Sequence, residues 1–326
     1  MALLDFEGCA QENNAAIGNW WSVAPNAIGA AGSGPYGEGR YFWRYASKNH
    51  AANQSLWFNF HYYKQAGAGS AYDALDFRDG GTQQLILAVS NANVFVIKKG
   101  SGATLATASG PTLSNGVWYF VQLRYTISTT VGTVELWVNG AQVATYSGNT
   151  QVSGNASCDR FVILEDYFCN MAFYTESGAA PNARTPECRV YTGLPTSAGS
   201  VTGFVPSAGA NWQCTDENPS NADTDYVSAA AAVTDDLYVS TGAQVAAGVV
   251  VYAVGVESVV RKDDAGVNAA DVLIKTGATT AAGGAPLTLS TSYQRHKAFW
   301  SVNPATGLPW TVGESNAVEF GVRRTS

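Results

Sequence analysis

The 326-residue sequence has three histidines, His50, His61 and His296, against 25 Asp and Glu, so acid–base chemistry would fall mainly to carboxylates. Two carboxylates that act on one bond must face one cleft, and on a strand this requires even spacing. Glu165 and Asp166 are adjacent and point to opposite faces, and Glu135 is followed two residues later by Trp137. No serine sits in a Gly-x-Ser-x-Gly elbow, and the glycine-bearing turns lack the lysine and following helix of a phosphate-binding loop. His61 lies among Phe58, Phe60, Tyr62 and Tyr63 and reads as a packing or surface residue; His296, between Arg295 and Lys297, reads as a solvated strand residue. The expectation is a chain that is not an enzyme.

The remaining chemistry is ligand binding. Asp216-Glu217-Asn218-Pro219-Ser220-Asn221-Ala222-Asp223-Thr224-Asp225 is an oxygen-rich run whose carboxylates, Asp216, Glu217, Asp223 and Asp225, could hold a hard cation such as Ca²⁺. It lacks the fixed glycine and terminal glutamate of an EF-hand loop, and the alternative is an exposed acidic turn. Sugar sites need an aromatic platform beside a few amides or carboxylates. Trp20, Trp21, Trp43 and Trp57, with Tyr36 and Tyr41, supply the aromatics early in the chain. The alternative for these is core packing. Cys9, Cys158, Cys169, Cys188 and Cys214 are odd in number and form no CxxC, which favours free buried thiols over a disulfide framework or a zinc knuckle.

Numerous short strands must position these groups. Glycines number 34 against 11 prolines, and the 3.6-residue apolar period of helices is nearly absent. The most legible element is Gly132 to Asn149: Val134, Leu136 and Val138 alternate with Thr133, Glu135 and Trp137. Asn139-Gly140, the dipeptide best suited to a tight hairpin turn, then reverses the chain. About twelve strands are expected through residue 191, among them 55–63, 117–126, 167–174 and 187–191. Residues 196–210, rich in Gly, Ser, Ala and Pro, read as a linker. Six or seven further strands follow, including 249–260, 271–276, 292–300 and 317–323.

The hairpin, the preceding Gly116-Val117-Trp118 strand, the opening Leu3-Leu4-Asp5-Phe6-Glu7-Gly8-Cys9 and Glu187-Cys188-Arg189-Val190-Tyr191 resemble the laminin-G/concanavalin-A-like sandwich. The whole chain resembles tailed-bacteriophage virion proteins that join such a sandwich to a second β domain. The residues that carry this are Asn211-Trp212-Gln213, Asp216-Glu217, Thr224-Asp225-Tyr226-Val227, Arg261-Lys262-Asp263-Asp264-Ala265-Gly266 and Asn303-Pro304-x-Thr306-Gly307-x-Pro309-Trp310-Thr311. The resemblance implies an all-β chain: a concanavalin-A-like (laminin-G-like) jelly-roll over 1–195, a linker over 196–210 and a smaller β-sandwich over 211–326. It also implies a rim Ca²⁺ site, at which Cys169 replaces an acidic ligand. Cys9, Cys169 and Cys188 would lie near one another, leaving one bridge open. Glucanases of this fold carry Glu-x-Asp-x-x-Glu, which is absent here.

Charged residues make up only 13% of the chain, about half the usual ~25%, and the net charge of −7 disfavours nucleic acid and anionic membranes as partners. The opening residues carry Asp5 and Glu7 where a leader would be basic and apolar, and Val249 to Val256 is too short for a bilayer span. The expected role is a structural component on the outside of a phage particle, assembled in the host cytoplasm as a homo-oligomer in contact with other virion proteins. The alternatives are an adhesin module for host surface glycans and an atypical glycan hydrolase.

Overall fold

The computed structural model describes residues 3–7, 27–28, 34–36, 42–43, 46–65, 70–178, 180–217, 220–241 and 245–326. Among them the chain is all-β, with one short α-helix and one 3-10 turn. The described residues divide into two compact units, one through Val190 and the other from Tyr191.

The first unit carries strands β1 (Leu3–Glu7), β2 (Ala27–Ile28), β3 (Phe42–Trp43), β4 (Ala46–Asn53), β5 (Ser55–Tyr63), β6 (Tyr72–Asp79), β7 (Thr82–Val89), β8 (Phe95–Lys99), β9 (Thr104–Thr107), β10 (Trp118–Thr126), β11 (Gly132–Val138), β12 (Ala141–Gly148), β13 (Cys158–Ile163) and β14 (Tyr167–Tyr174). One sheet runs β12-β11-β10-β5-β14-β3-β2, with β1 also paired to β14; the other runs β4-β13-β6-β7-β8-β9. Strand β5 shows why they meet. Leu56, Phe58, Phe60 and Tyr62 project from one face and are fully buried. The Phe58 ring lies 4.8 Å from Phe161 of β13 and 5.7 Å from Phe77 of β6, so this face packs on the second sheet. Truncating such a phenylalanine to alanine costs about 3–5 kcal/mol.

The expected hairpin is present. Asn139 has φ 50° and Gly140 φ 83°, and Val138 stands opposite Ala141. Asp166 (φ 63°) turns the chain between β13 and β14; its carboxylate accepts bonds from the hydroxyls of buried Tyr62 and half-buried Tyr72 and from the Gln65 amide.

The second unit contains β15 (Ser197–Thr202), β16 (Val205–Pro206), β17 (Val227–Ser228), β18 (Thr234–Val239), β19 (Val254–Val260), β20 (Ala269–Thr276), β21 (Thr279–Ala282), β22 (Leu287–Thr288), β23 (Gln294–Trp300), α1 (Val312–Asn316) and β24 (Glu319–Arg324). Its main sheet runs β15-β18-β24-β20-β21, with β22 on β20, and β19 pairs with β23 as a separate ribbon. Val256 and Ala298 of that ribbon pack against Val272 and Ile274 of the sheet, beside buried Trp310. The ribbon thus closes one face of the sheet. Gly321 lets three strands approach: a Cβ there would lie 1.9 Å from the Asp236 carbonyl oxygen.

Two expectations need correction. Residues 196–210 are not a free linker, because β15 pairs with β18 and β16 with β17. Residues 187–191 form no strand.

Candidate functional site

The tryptophans expected to form a sugar platform divide three ways. Trp20 and Trp21 lie outside the described residues. Trp43 is placed in backbone only, opposite Tyr167 of β14. Trp57 is 6% exposed, with its ring centroid 5.3 Å from that of Trp137 and 6.2 Å from that of Tyr174. It is therefore a packed residue rather than an open platform.

The acidic run behaves differently. Glu217, Asp223 and Asp225 line a cavity of about 380 Å³ within the second unit, whereas Asp216 does not. Its interior is formed by buried Tyr238, Val256, Ala270 and Val322, and its charged lining includes Arg261 and Lys262. The cavity follows from the fold, since β19 supplies one wall while β18, β20 and β24 supply the other. Tyr238 is fixed by donating its hydroxyl to Asp236 at 2.6 Å, and Asp236 also accepts from Asn211 Nδ2 at 2.9 Å. Burial, then the Asp236 hydrogen bond, raise the Tyr238 pKa, so this phenol stays protonated.

The acids do not form a cation cage. Asp223 Oδ1 accepts from Arg261 Nη2 at 2.7 Å and from the Tyr293 hydroxyl at 2.8 Å. These hydrogen bonds, led by that of Arg261, hold the Asp223 carboxyl below its ordinary pKa. The Arg261 guanidinium also lies 5.3 Å from the Tyr293 ring centroid. Asp225 accepts from Asn221, and Glu217 is raised by burial and then by the charges of Asp225 and Asp216. Among the described residues, no group of three or more His, Cys, Asp or Glu side chains is arranged to hold a metal ion. Of the four acids named for Ca²⁺, Asp223 is thus bonded to Arg261 and Tyr293, and Asp225 to Asn221.

The His296 reading changes, while His61 is packed as one of its two readings had it and is hydrogen-bonded as well. His296 Nε2 lies 3.0 Å from the buried carboxylate of Asp271, so it is not simply solvated. His61 is 2% exposed and lies 3.0 Å from Glu187 Oε1 and 3.1 Å from the Tyr36 hydroxyl, which itself donates to Glu187. Burial raises the Glu187 carboxyl, but the bonds from His61 and Tyr36 outweigh it and leave the pKa lowered. Alternation along β5 was the available signal for His61: it shares a face with Asn59 and Trp57, away from Phe58 and Phe60. Cys158, Cys188 and Cys214 carry free thiols, as expected, and Cys9 lies outside the described residues.

No protein-family model matches the chain, and neither does any curated protein. Solved structures match in part. A Trypanosoma rangeli sialidase is 12% identical with a TM-score of 0.40, over 53% of this chain and 30% of its own. An endo-β-1,4-glucuronan lyase from the fungus Trichoderma reesei is 11% identical with a TM-score of 0.38, over 52% and 94%. An alginate lyase is 12% identical with a TM-score of 0.36, over 53% and 98%. The chain therefore spans less than a third of the sialidase and most of each lyase. These matches are enzymes, and the expectation that this chain is not one is withdrawn; likeness at this level assigns it no reaction.

Proposed function

We propose that the chain is a structural component of the outside of a tailed-bacteriophage particle, as a decoration, neck or tail accessory subunit. In this reading it engages neighbouring virion proteins through the cavity of its second unit. The first unit is then a laminin-G-like jelly-roll and the second a smaller β-sandwich, repeated as symmetric copies on the particle. The supporting observation is one of convergence. Glu217, Asp225-Tyr226-Val227 and Arg261-Lys262-Asp263-Asp264, three of the runs that carry the resemblance, all line the one cavity. A charged lining fixes the register of a partner, and an apolar floor supplies the area that holds it. The test is quantitative mass spectrometry of purified particles made with the wild-type chain and with Arg261→Ala. Fixed stoichiometry for the wild type, and loss of the variant from particles, is the expected result. Absence of the wild-type chain from particles overturns the reading.

A second reading, recognition of a host surface glycan, is favoured by Tyr226, Tyr293 and Asn268 in the same lining, which combine aromatic faces with an amide. A glycan array probed with the wild-type chain and with Tyr293→Ala tests it: binding abolished by the substitution supports it, and no binding removes it.

A further inference from the structure

The β19–β23 ribbon turns one face toward the main sheet of the second unit. Val256 of β19 and Ala298 of β23 pack there against Val272 and Ile274. Side chains two residues apart on a strand share a face, so Ser258 and His296 lie on that same inner face. They are direct partners in the antiparallel register. Directly opposed residues hold their Cβ atoms about 4.5–5.5 Å apart, near enough for a hydroxyl and an imidazole to meet.

The His296 side chain is 13% exposed, and its Nε2 lies 3.0 Å from Oδ1 of the buried Asp271 on β20. An ionised carboxylate only accepts, so Nε2 carries the ring proton and Nδ1 keeps its lone pair. Arg323, the register partner of Asp271 on β24, feels its charge but donates to Asp235 at 2.6 and 2.7 Å. The carboxylate of Asp271 is thus left to orient the imidazole.

Ser258 Oγ is buried and has no hydrogen-bond partner among the described residues. An unpaired buried hydroxyl is destabilising and calls for a reason. Ser258 also lines the cavity of about 380 Å³, facing Tyr238, Ala270 and Val322. Serine, histidine and aspartate therefore stand in the order of a nucleophile, its base and the group that orients the base. The bond from Ser258 to His296 is not closed in this structure, and bonds of this kind commonly tighten only with substrate in place. Among the described residues β19 pairs on one side only, with β23, so alternate backbone amides along it are unused by the ladder and can donate to an oxyanion beside Ser258.

We infer that Ser258, His296 and Asp271 hydrolyse carboxylic esters whose acyl group enters this cavity. Ser258 Oγ attacks the carbonyl carbon while its proton passes to His296 Nδ1, and that proton departs with the alcohol as the ester C–O bond breaks. Water then attacks the acyl-serine, giving its proton to the same nitrogen. The acid leaves and the proton returns to Ser258 Oγ. The floor of Tyr238, Val256 and Val322 suits a short apolar acyl chain. This activity uses the cavity assigned above to a virion neighbour but does not rest on that role.

The test uses the isolated full chain, so its failure leaves the particle measurement standing. A fluorophosphonate should add to Ser258, located by peptide mass mapping, and p-nitrophenyl butyrate should be cleaved with saturation kinetics. Ser258→Ala deletes an unpaired hydroxyl and should fold; it is expected to lose the label and about 100-fold or more in kcat/KM. Asp271→Asn, with an unchanged circular dichroism spectrum, should lower kcat about tenfold or more at an unchanged KM. Absence of label at Ser258 in the wild-type chain, or ester cleavage by Ser258→Ala at the wild-type rate, overturns the inference. An unchanged kcat in Asp271→Asn overturns the positioning role of Asp271.

Discussion

Asn59 Nδ2 stands 2.9 Å from Thr185 Oγ1, a bond between residues 126 positions apart in which both partners are buried. It fixes where the chain crosses the sheet after leaving β14. Thr185→Val keeps the shape and removes the acceptor, leaving Asn59 with the Tyr174 hydroxyl at 3.1 Å. The expected cost is about 1–3 kcal/mol, the penalty for an underused buried donor. Urea unfolding checks it: the midpoint should fall at an unchanged slope.

Glycine positions separate a conformational from a steric cost. Gly140→Ala places a side chain at φ 83° in an open turn and should cost about 1–2 kcal/mol. Gly321→Ala should cost more, because its Cβ would meet the Asp236 carbonyl oxygen at 1.9 Å. The order of their thermal midpoints tests this assignment.

Acid should unfold the first unit in two stages. Burial lowers the His50 pKa from 6.5, so its stabilising neutral form is present above that value and is lost as pH falls through the lowered one. The hydrogen bonds from His61 and Tyr36 lower Glu187 from 4.5 against the opposing effect of burial, so its contribution persists above 4.5 and disappears at lower pH. In urea midpoints measured against pH, Glu187→Gln should flatten only the segment below 4.5. A change confined to higher pH contradicts the assignment.

Cys158 should be inert in the native chain. Burial pushes its thiol up to about 12, beyond the range in which a thiolate forms at pH 8. A chromogenic disulfide reagent should label it only after unfolding; labelling at native rates comparable to free cysteine contradicts its placement in the core.

What the sequence made legible was whatever depends on neighbours in the chain. The Asn139-Gly140 turn, the alternation of β5 and the bounds of β14 follow from local pattern, and the structure shows all three. The edge strand β15 was hidden because Ser197-Ala198-Gly199-Ser200-Val201-Thr202 buries almost nothing and so has no apolar period. Trp57 looked available because alternation sets it opposite Phe58, and its burial comes from Trp137 and Tyr174 on neighbouring strands, which are distant in sequence. The joining of His61 to Glu187, and of Asp223 to Arg261 and Tyr293, likewise depends on contacts across long stretches of chain. Of the carboxylates of 216–225, Asp223 is bonded by an arginine and a tyrosine and Asp225 by an asparagine, partners that lie outside the acidic run or within it and that composition alone does not specify.

In the proposed role the chain occupies the exterior of a phage particle and grips a neighbour at the cavity bearing Asp223, Arg261 and Tyr293. A cryo-EM reconstruction of intact purified particles tests it most directly. Symmetric copies of the chain on the outer surface, with that cavity filled by a segment of an adjoining virion protein, are the expected result. Particles that lack the chain, or copies whose cavity faces open solvent while another surface makes every contact, would contradict it.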